Sequence, residues 1–245
     1  MLTNWVVAFT YFAPLALRGR AWLYKRPRLG LALWLSLFSG SVLAAVAAIG
    51  LAVFSAFENW MTMHRDGFNG GWLPALIAGF APWAILAAGG ILMAIASTKF
   101  EQLYSKAAEL DPDLLGGRQV GERSGFKLFE IPLDIAYIGC SGATRSVVYA
   151  SGIFSVLNAD EFEAALAHEV AHLRARHPQM LSFVRWVGRL FSAFKASAIL
   201  ESEVYLLCEL AADRGVGDQG SLRSGLEKIV GHEDLEVRIR LSFAK

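Results

Sequence analysis

Two long apolar stretches interrupt the mixture of polar and apolar positions along this chain, with no charged residue from Leu29 to Phe57 or from Gly67 to Thr98. Each exceeds the roughly 20 residues that a helix needs to cross a hydrocarbon core about 30 Å thick. Membrane spans are therefore predicted over about 29–57 and 73–98. Pro74 fits the first turn of the second span and Pro82 a kink within it. The rest of the chain is too small to bury two such helices on all sides. A third apolar segment, residues 1–17, contains Pro14 and lacks the basic start and small-residue cleavage site of a secretory signal. An extra span and an interfacial helix both remain open for it.

After residue 98 the pattern changes. Residues 99–115 read as a helix closed near Asp111-Pro112, and the glycine-rich stretch 114–125 breaks regular structure. "FKLFEIPL" (126–133) and "SVVYAS" (146–151) have the aromatic and β-branched content of short strands, joined by the turn-rich "GCSGATR" (139–145). Asn158 and Glu161 are spaced as a capping box, and Asp160 and Glu161 suit the positive end of a helix dipole. Phe162, Ala165, Leu166, Ala167 and Val170 follow at helical spacing until Pro178, which predicts a helix over about 159–176. The expected class is α+β: membrane helices over residues 1–98, then a mostly helical domain with a small β-sheet over residues 99–245.

Composition supports the membrane assignment. Of 245 residues 55% are hydrophobic and 18% charged, and the mean hydropathy is +0.42, more apolar than soluble domains run. Arg18–Arg28 carries five Lys or Arg and no acid, whereas the loop between the long runs has Arg65 beside Glu58 and Asp66. The positive-inside rule places the basic segment in the cytoplasm and, two spans later, residues 99–245 with it. Up to residue 98 there are 6 basic residues against 2 acids, and after it 17 against 20. The later part thus lacks the clustered basic footprint of a nucleic-acid binder. Cys140 and Cys208 suit a reducing compartment.

The predicted helix 159–176 contains "HEVAH". His168 and His172, four apart, leave the same helical face and can reach one zinc ion. Glu169, beside them, can act on a water at the metal without ligating it. Two histidines alone are also compatible with an ordinary polar helix surface, because catalytic zinc usually takes three protein ligands. The extended pattern HExxHxxGxxH is excluded by Ala175 and Pro178. The remaining source is a later helix: "ESEVYLLCELAADRGV" supplies Glu209 as a ligand and, four residues on, Asp213 to hold a ligand histidine. Cys208 is read as a small buried residue and His64 as a solvated loop residue, neither belonging to the site.

"SVVYASGIFSVLNADEFEAALAHEVAHLRARHP", "CELAADR" and the tail "GHEDLEVRIRL" together resemble the membrane-anchored gluzincin zinc metallopeptidases. That group includes the HtpX-like heat-shock proteases, the CAAX prenyl proteases and the BlaR-type sensor peptidases. The resemblance implies one zinc ion per chain held by His168, His172 and Glu209, with Glu169 as general base. It also implies that Ser146–Ala150 is the edge strand that pairs with an extended substrate. The chain departs from the pattern in three places. Relatives often carry Asp in place of His177 and proline in place of Glu233. HtpX-like members insert a second membrane hairpin where residues 180–200 here carry Arg185, Arg189 and Lys195.

Each such charge costs about 2.5–3.5 kcal/mol at mid-bilayer, so 180–200 reads as an amphipathic helix. It lies on the inner leaflet, roofs the site or packs on the domain core. The expected function is a zinc-dependent endopeptidase acting on protein or peptide substrates at the cytoplasmic membrane face, with the lipid bilayer as partner and no nucleic acid. A BlaR-type signalling receptor and an inactive scaffold are the alternatives; the short outer loop disfavours the first and the presence of Glu169 the second. His232 and Arg238, in the family-like tail, are candidate donors to the oxyanion of the tetrahedral intermediate. Arg238 has an equal alternative as an ion-pair partner that holds the tail. Tyr205 or a backbone amide of the edge strand is the next choice of donor.

Overall fold

The computed structural model describes residues 16–65, 84, 89, 116–190 and 195–230. The tail with His232 and Arg238, the helix expected over 99–115, and nearly all of segments 1–17 and 73–98 lie outside the described residues. The chain divides into two compact units, one of Met1–Leu17 with Leu35–Phe100 and one of Arg18–Trp34 with Glu101–Lys245.

A short helix α1 (Ala21–Tyr24) precedes α2 (Pro27–Arg65), which runs for 39 residues. Pro27 opens α2 where its missing N–H costs nothing. The window Pro27–Ala44 is long and apolar enough to cross a membrane. Farther along, Leu43, Val46, Phe54, Phe57 and Met61 recur three, four or eight residues apart and are all exposed, an apolar stripe on one helical face.

Within the second unit, which also holds α1 and the start of α2, β1 (Arg118–Arg123), β2 (Phe126–Ile131), β3 (Ile138–Ser141) and β4 (Ser146–Ala150) form one sheet in the order β1-β2-β4-β3. The β1–β2 and β3–β4 pairs are antiparallel and β2–β4 is parallel. The expected strands at 126–133 and 146–151 are present. Two expectations are corrected. The glycine-rich stretch 114–125 holds a strand, because Ser124 and Gly125, at φ 54° and 83°, make the two-residue turn that a twisted hairpin favours. The turn-rich segment 139–145 begins inside β3 and turns only after Ser141.

A third correction concerns Ser146–Ala150. β4 is an interior strand, bonded to β2 on one side and β3 on the other, and all five of its residues are buried. Among the described residues the sheet's edges are β1 and β3, and β3 is the one beside β4. A 3₁₀ turn (Ser151–Ser155) follows β4 and holds the chain before β3: Gly152 N–H donates to Leu133 O at 2.9 Å. Any Cβ at Gly152 would collide with the backbone of Asp134 and Ile135.

Helix α3 (Ala159–Arg174) packs on this sheet, with Leu166, Val170 and Leu173 against Phe126 and Val147. Its expected capping box is present, with Glu161 N–H donating to Asn158 Oδ1 and Asn158 N–H to Glu161 Oε2, both at 2.9 Å. The helix ends two residues earlier than Pro178 suggests, at Arg174, and Arg176 adopts the left-handed conformation at φ 58°. Pro178 belongs instead to the first turn of α4 (His177–Leu190). Residues 180–200 are therefore not one helix: α4 covers the first part, and α5 (Lys195–Asp213) begins within the last. α4 and α5 pack together, and α6 (Gln219–Val230) packs on α3.

The start of α2 joins this unit through α5. Gly30 brings its backbone so close to Leu207 that a Cβ would sit 2.9 Å from Leu207 Cδ2. Buried Glu203 accepts from Gly19 N–H at 3.1 Å and from the Tyr24 hydroxyl at 3.2 Å. Burial and then the Glu203 charge push the Tyr24 phenol up to about 12. Arg214 donates to Lys25 O at 2.7 Å, so polar groups fasten the basic segment to the middle and the C-terminal end of the helix that carries Glu209.

Candidate metal centre

His168 and His172 lie one turn apart on α3, and Glu209 lies on α5, which packs against it. All three are buried. His168 Nε2 and His172 Nε2 are 3.0 Å apart, and the Glu209 carboxylate oxygens lie 3.4 Å from the first and 3.5 Å from the second. A tetrahedral ion bound at about 2.1 Å holds its ligands about 3.4 Å from one another. The two Nε2 atoms and the Glu209 carboxylate, whose Oε2 faces His168 and whose Oε1 faces His172, are thus spaced close to the edges of such a site, and among the described residues they form the one group able to hold a metal ion.

Asp213, one turn after Glu209, sets Oδ1 3.0 Å from His168 Nδ1, the arrangement in which a carboxylate orients a ligating histidine. On the other histidine, His172 Nδ1 lies 3.1 Å from His177 Nδ1, with the two rings nearly perpendicular. His177 is itself buried at 3% exposure. This contact was not anticipated, because it depends on the left-handed turn at Arg176.

The electrostatics favour a cation. Burial alone pushes the His168 imidazole down, but hydrogen bonds to Asp213 and Glu209 and the charges of Glu169 and Glu209 outweigh it and raise the group to about 9. Two buried carboxylates, Glu209 and Asp213, set against these imidazoles suit a positive charge placed between them. Burial pushes His177 the other way, below its ordinary value, aided by the charges of His168 and Arg28 and only partly opposed by Glu209.

Glu169 is half-buried beside the cluster. The Cys140 thiol of β3 donates to it, and burial followed by the Glu169 charge pushes that thiol up. The Tyr137 phenol is raised by the same two causes in the same order. Neither neighbour carries a sequence signal, because each approaches Glu169 through the packing of β3 on α3. Cys208 is buried beside Glu209 but does not belong to the metal-capable group. Tyr205 is on α5, one turn before Glu209.

The sequence thus brings His168, Glu169, His172, Glu209 and Asp213 to one place, while His232 and Arg238 lie outside the described residues. Residues 132–209, from the chain before β3 to the Glu209 position, match the model of Peptidase family M48. No curated protein and no solved structure matches the chain. The segment that brings the metal-capable residues together is therefore similar to Peptidase family M48.

Proposed function

We propose that the chain is a membrane-bound, zinc-dependent endopeptidase that hydrolyses peptide bonds of proteins at the cytoplasmic membrane face. The observation that carries this reading is the convergence of His168 Nε2, His172 Nε2 and the Glu209 carboxylate, one oxygen facing each imidazole, at 3.0–3.5 Å, with Glu169 next to His168 on the same helix. Two imidazoles and one carboxylate are a donor set that suits catalytic zinc and leaves a fourth position for water or substrate. When bound there, zinc supplies Lewis acidity, which polarises the scissile carbonyl and acidifies the attacking water.

The protein's own groups do the rest. Glu169, half-exposed and outside the ligand triangle, accepts the water proton and returns it to the leaving amine. Asp213 keeps His168 in the tautomer that turns Nε2 inward. β3 has no strand on its outer side among the described residues and packs on α3 next to Glu169. Its unpaired backbone groups suit an extended peptide added as a further strand. The membrane part of the proposal rests on the apolar window Pro27–Ala44, the exposed stripe from Leu43 to Met61, and the basic segment before them.

Glu169→Gln separates chemistry from metal binding, since it removes the base and leaves the ligands. We expect a bound-zinc content close to parental and a loss of turnover on an unstructured protein substrate on the order of 100-fold or more. Parental turnover in this variant would remove Glu169 from the mechanism.

A further inference from the structure

We propose that His177 is a positioning residue: its Nδ1 accepts a hydrogen bond from the Nδ1–H of His172 and so fixes His172 in the tautomer and ring orientation that direct Nε2 into the metal centre. This inference rests on the metal-centre reading above and adds a specific role within it.

A neutral imidazole has one N–H and one lone pair. His172 Nε2 faces the cluster, 3.0 Å from His168 Nε2 and 3.5 Å from Glu209 Oε1. To offer a metal its lone pair there, His172 must carry its proton on Nδ1. That atom lies 3.1 Å from His177 Nδ1, so His177 must present a lone pair at Nδ1 and carry its own proton on Nε2. One choice of tautomer therefore dictates the other. His177 stands to His172 as Asp213 stands to His168, where Nδ1 lies 3.0 Å from the carboxylate.

The backbone is built to allow it. In an uninterrupted helix, residue 177 would lie about 140° around the axis from His172. Arg176 at φ 58° interrupts α3 and starts α4 at His177, which brings the imidazole back onto His172 with their ring centroids 4.9 Å apart. A non-glycine residue in that conformation carries a steric cost, and here it purchases this contact. Charge explains the choice of residue. Glu169, Glu209 and Asp213 already surround the two ligand histidines. An imidazole accepts the same hydrogen bond as an aspartate without adding a fourth negative charge to a buried site.

Asparagine and glutamine at position 177 test the inference, because Asn Oδ1 falls near the place of His Nδ1 whereas Gln Oε1 falls near that of Nε2. Zinc affinity is measured for the full chain in detergent by competition with a chromophoric chelator, and the visible spectrum of the Co²⁺-substituted protein reports ligand geometry. We expect His177→Asn to bind zinc within about threefold of the parent with an unaltered Co²⁺ spectrum, and His177→Gln to bind 10–100-fold more weakly, roughly the effect of losing an outer-shell partner. Equal affinities in the two variants, whether both high or both low, or tighter binding by the Gln variant, would overturn it. A parent chain that binds no zinc would instead overturn the metal-centre reading on which it rests.

Discussion

Glu161 receives Lys228 Nζ at 2.7 Å and Ser224 Oγ at 2.6 Å while its carboxylate also closes the capping box of α3. Hydrogen bonds from Lys228, Ser224 and the Asn158 N–H hold this carboxyl at about 2, against an ordinary 4.5. A carboxyl depressed on folding contributes stability above its unfolded value and loses it as the pH falls through its folded one. Glu161→Gln should therefore lower Tm at pH 7, and the gap to the parent should narrow between pH 5 and pH 2; thermal unfolding at pH 7 and pH 3 checks this. A gap of equal size at both pH values would deny Glu161 that role. At this scale the site was largely legible. His168 with His172 and Glu209 with Asp213 are each four apart, so helix periodicity alone puts each pair on one face. His177 was not legible, because no periodicity carries through the left-handed residue at Arg176.

At the scale of elements, α3 announced itself through its cap and apolar spacing, and the structure places it within two residues at its C-terminal end. The strands were harder to read. In β1 and the turn after it, glycines at 121 and 125 suggested a break, yet Gly125 serves the hairpin turn and Gly121 follows a bulge. The interior position of β4 did have a signal: "VVYA" is continuously apolar, as a strand covered on both faces must be, rather than alternating. The resemblance to an edge strand obscured it. Residues 180–200 have a helical composition throughout, and their apolar faces do not reveal that they divide between two helices that pack on each other. For the proposed peptidase, the change of edge matters: the strand beside Glu169 is β3, whose Cys140 touches that carboxylate.

Across the whole molecule, the basic segment Arg18–Arg28 belongs to the same compact unit as the helix that carries Glu209. The cytoplasmic placement proposed for one therefore carries the other with it. A reporter fused after residue 245 should report cytoplasm, and a cysteine introduced at Asn69 should be labelled by an impermeant reagent from outside. Labelling at Asn69 only after permeabilisation would invert the topology. The most direct test of the central claim is the zinc content of the purified full-length chain and of Glu209→Ala, determined by elemental analysis after dialysis. The account predicts one zinc per chain in the parent and a marked loss in the variant, because the proposed centre takes Glu209 as its third ligand. A parent without zinc, or undiminished zinc in Glu209→Ala, would contradict it.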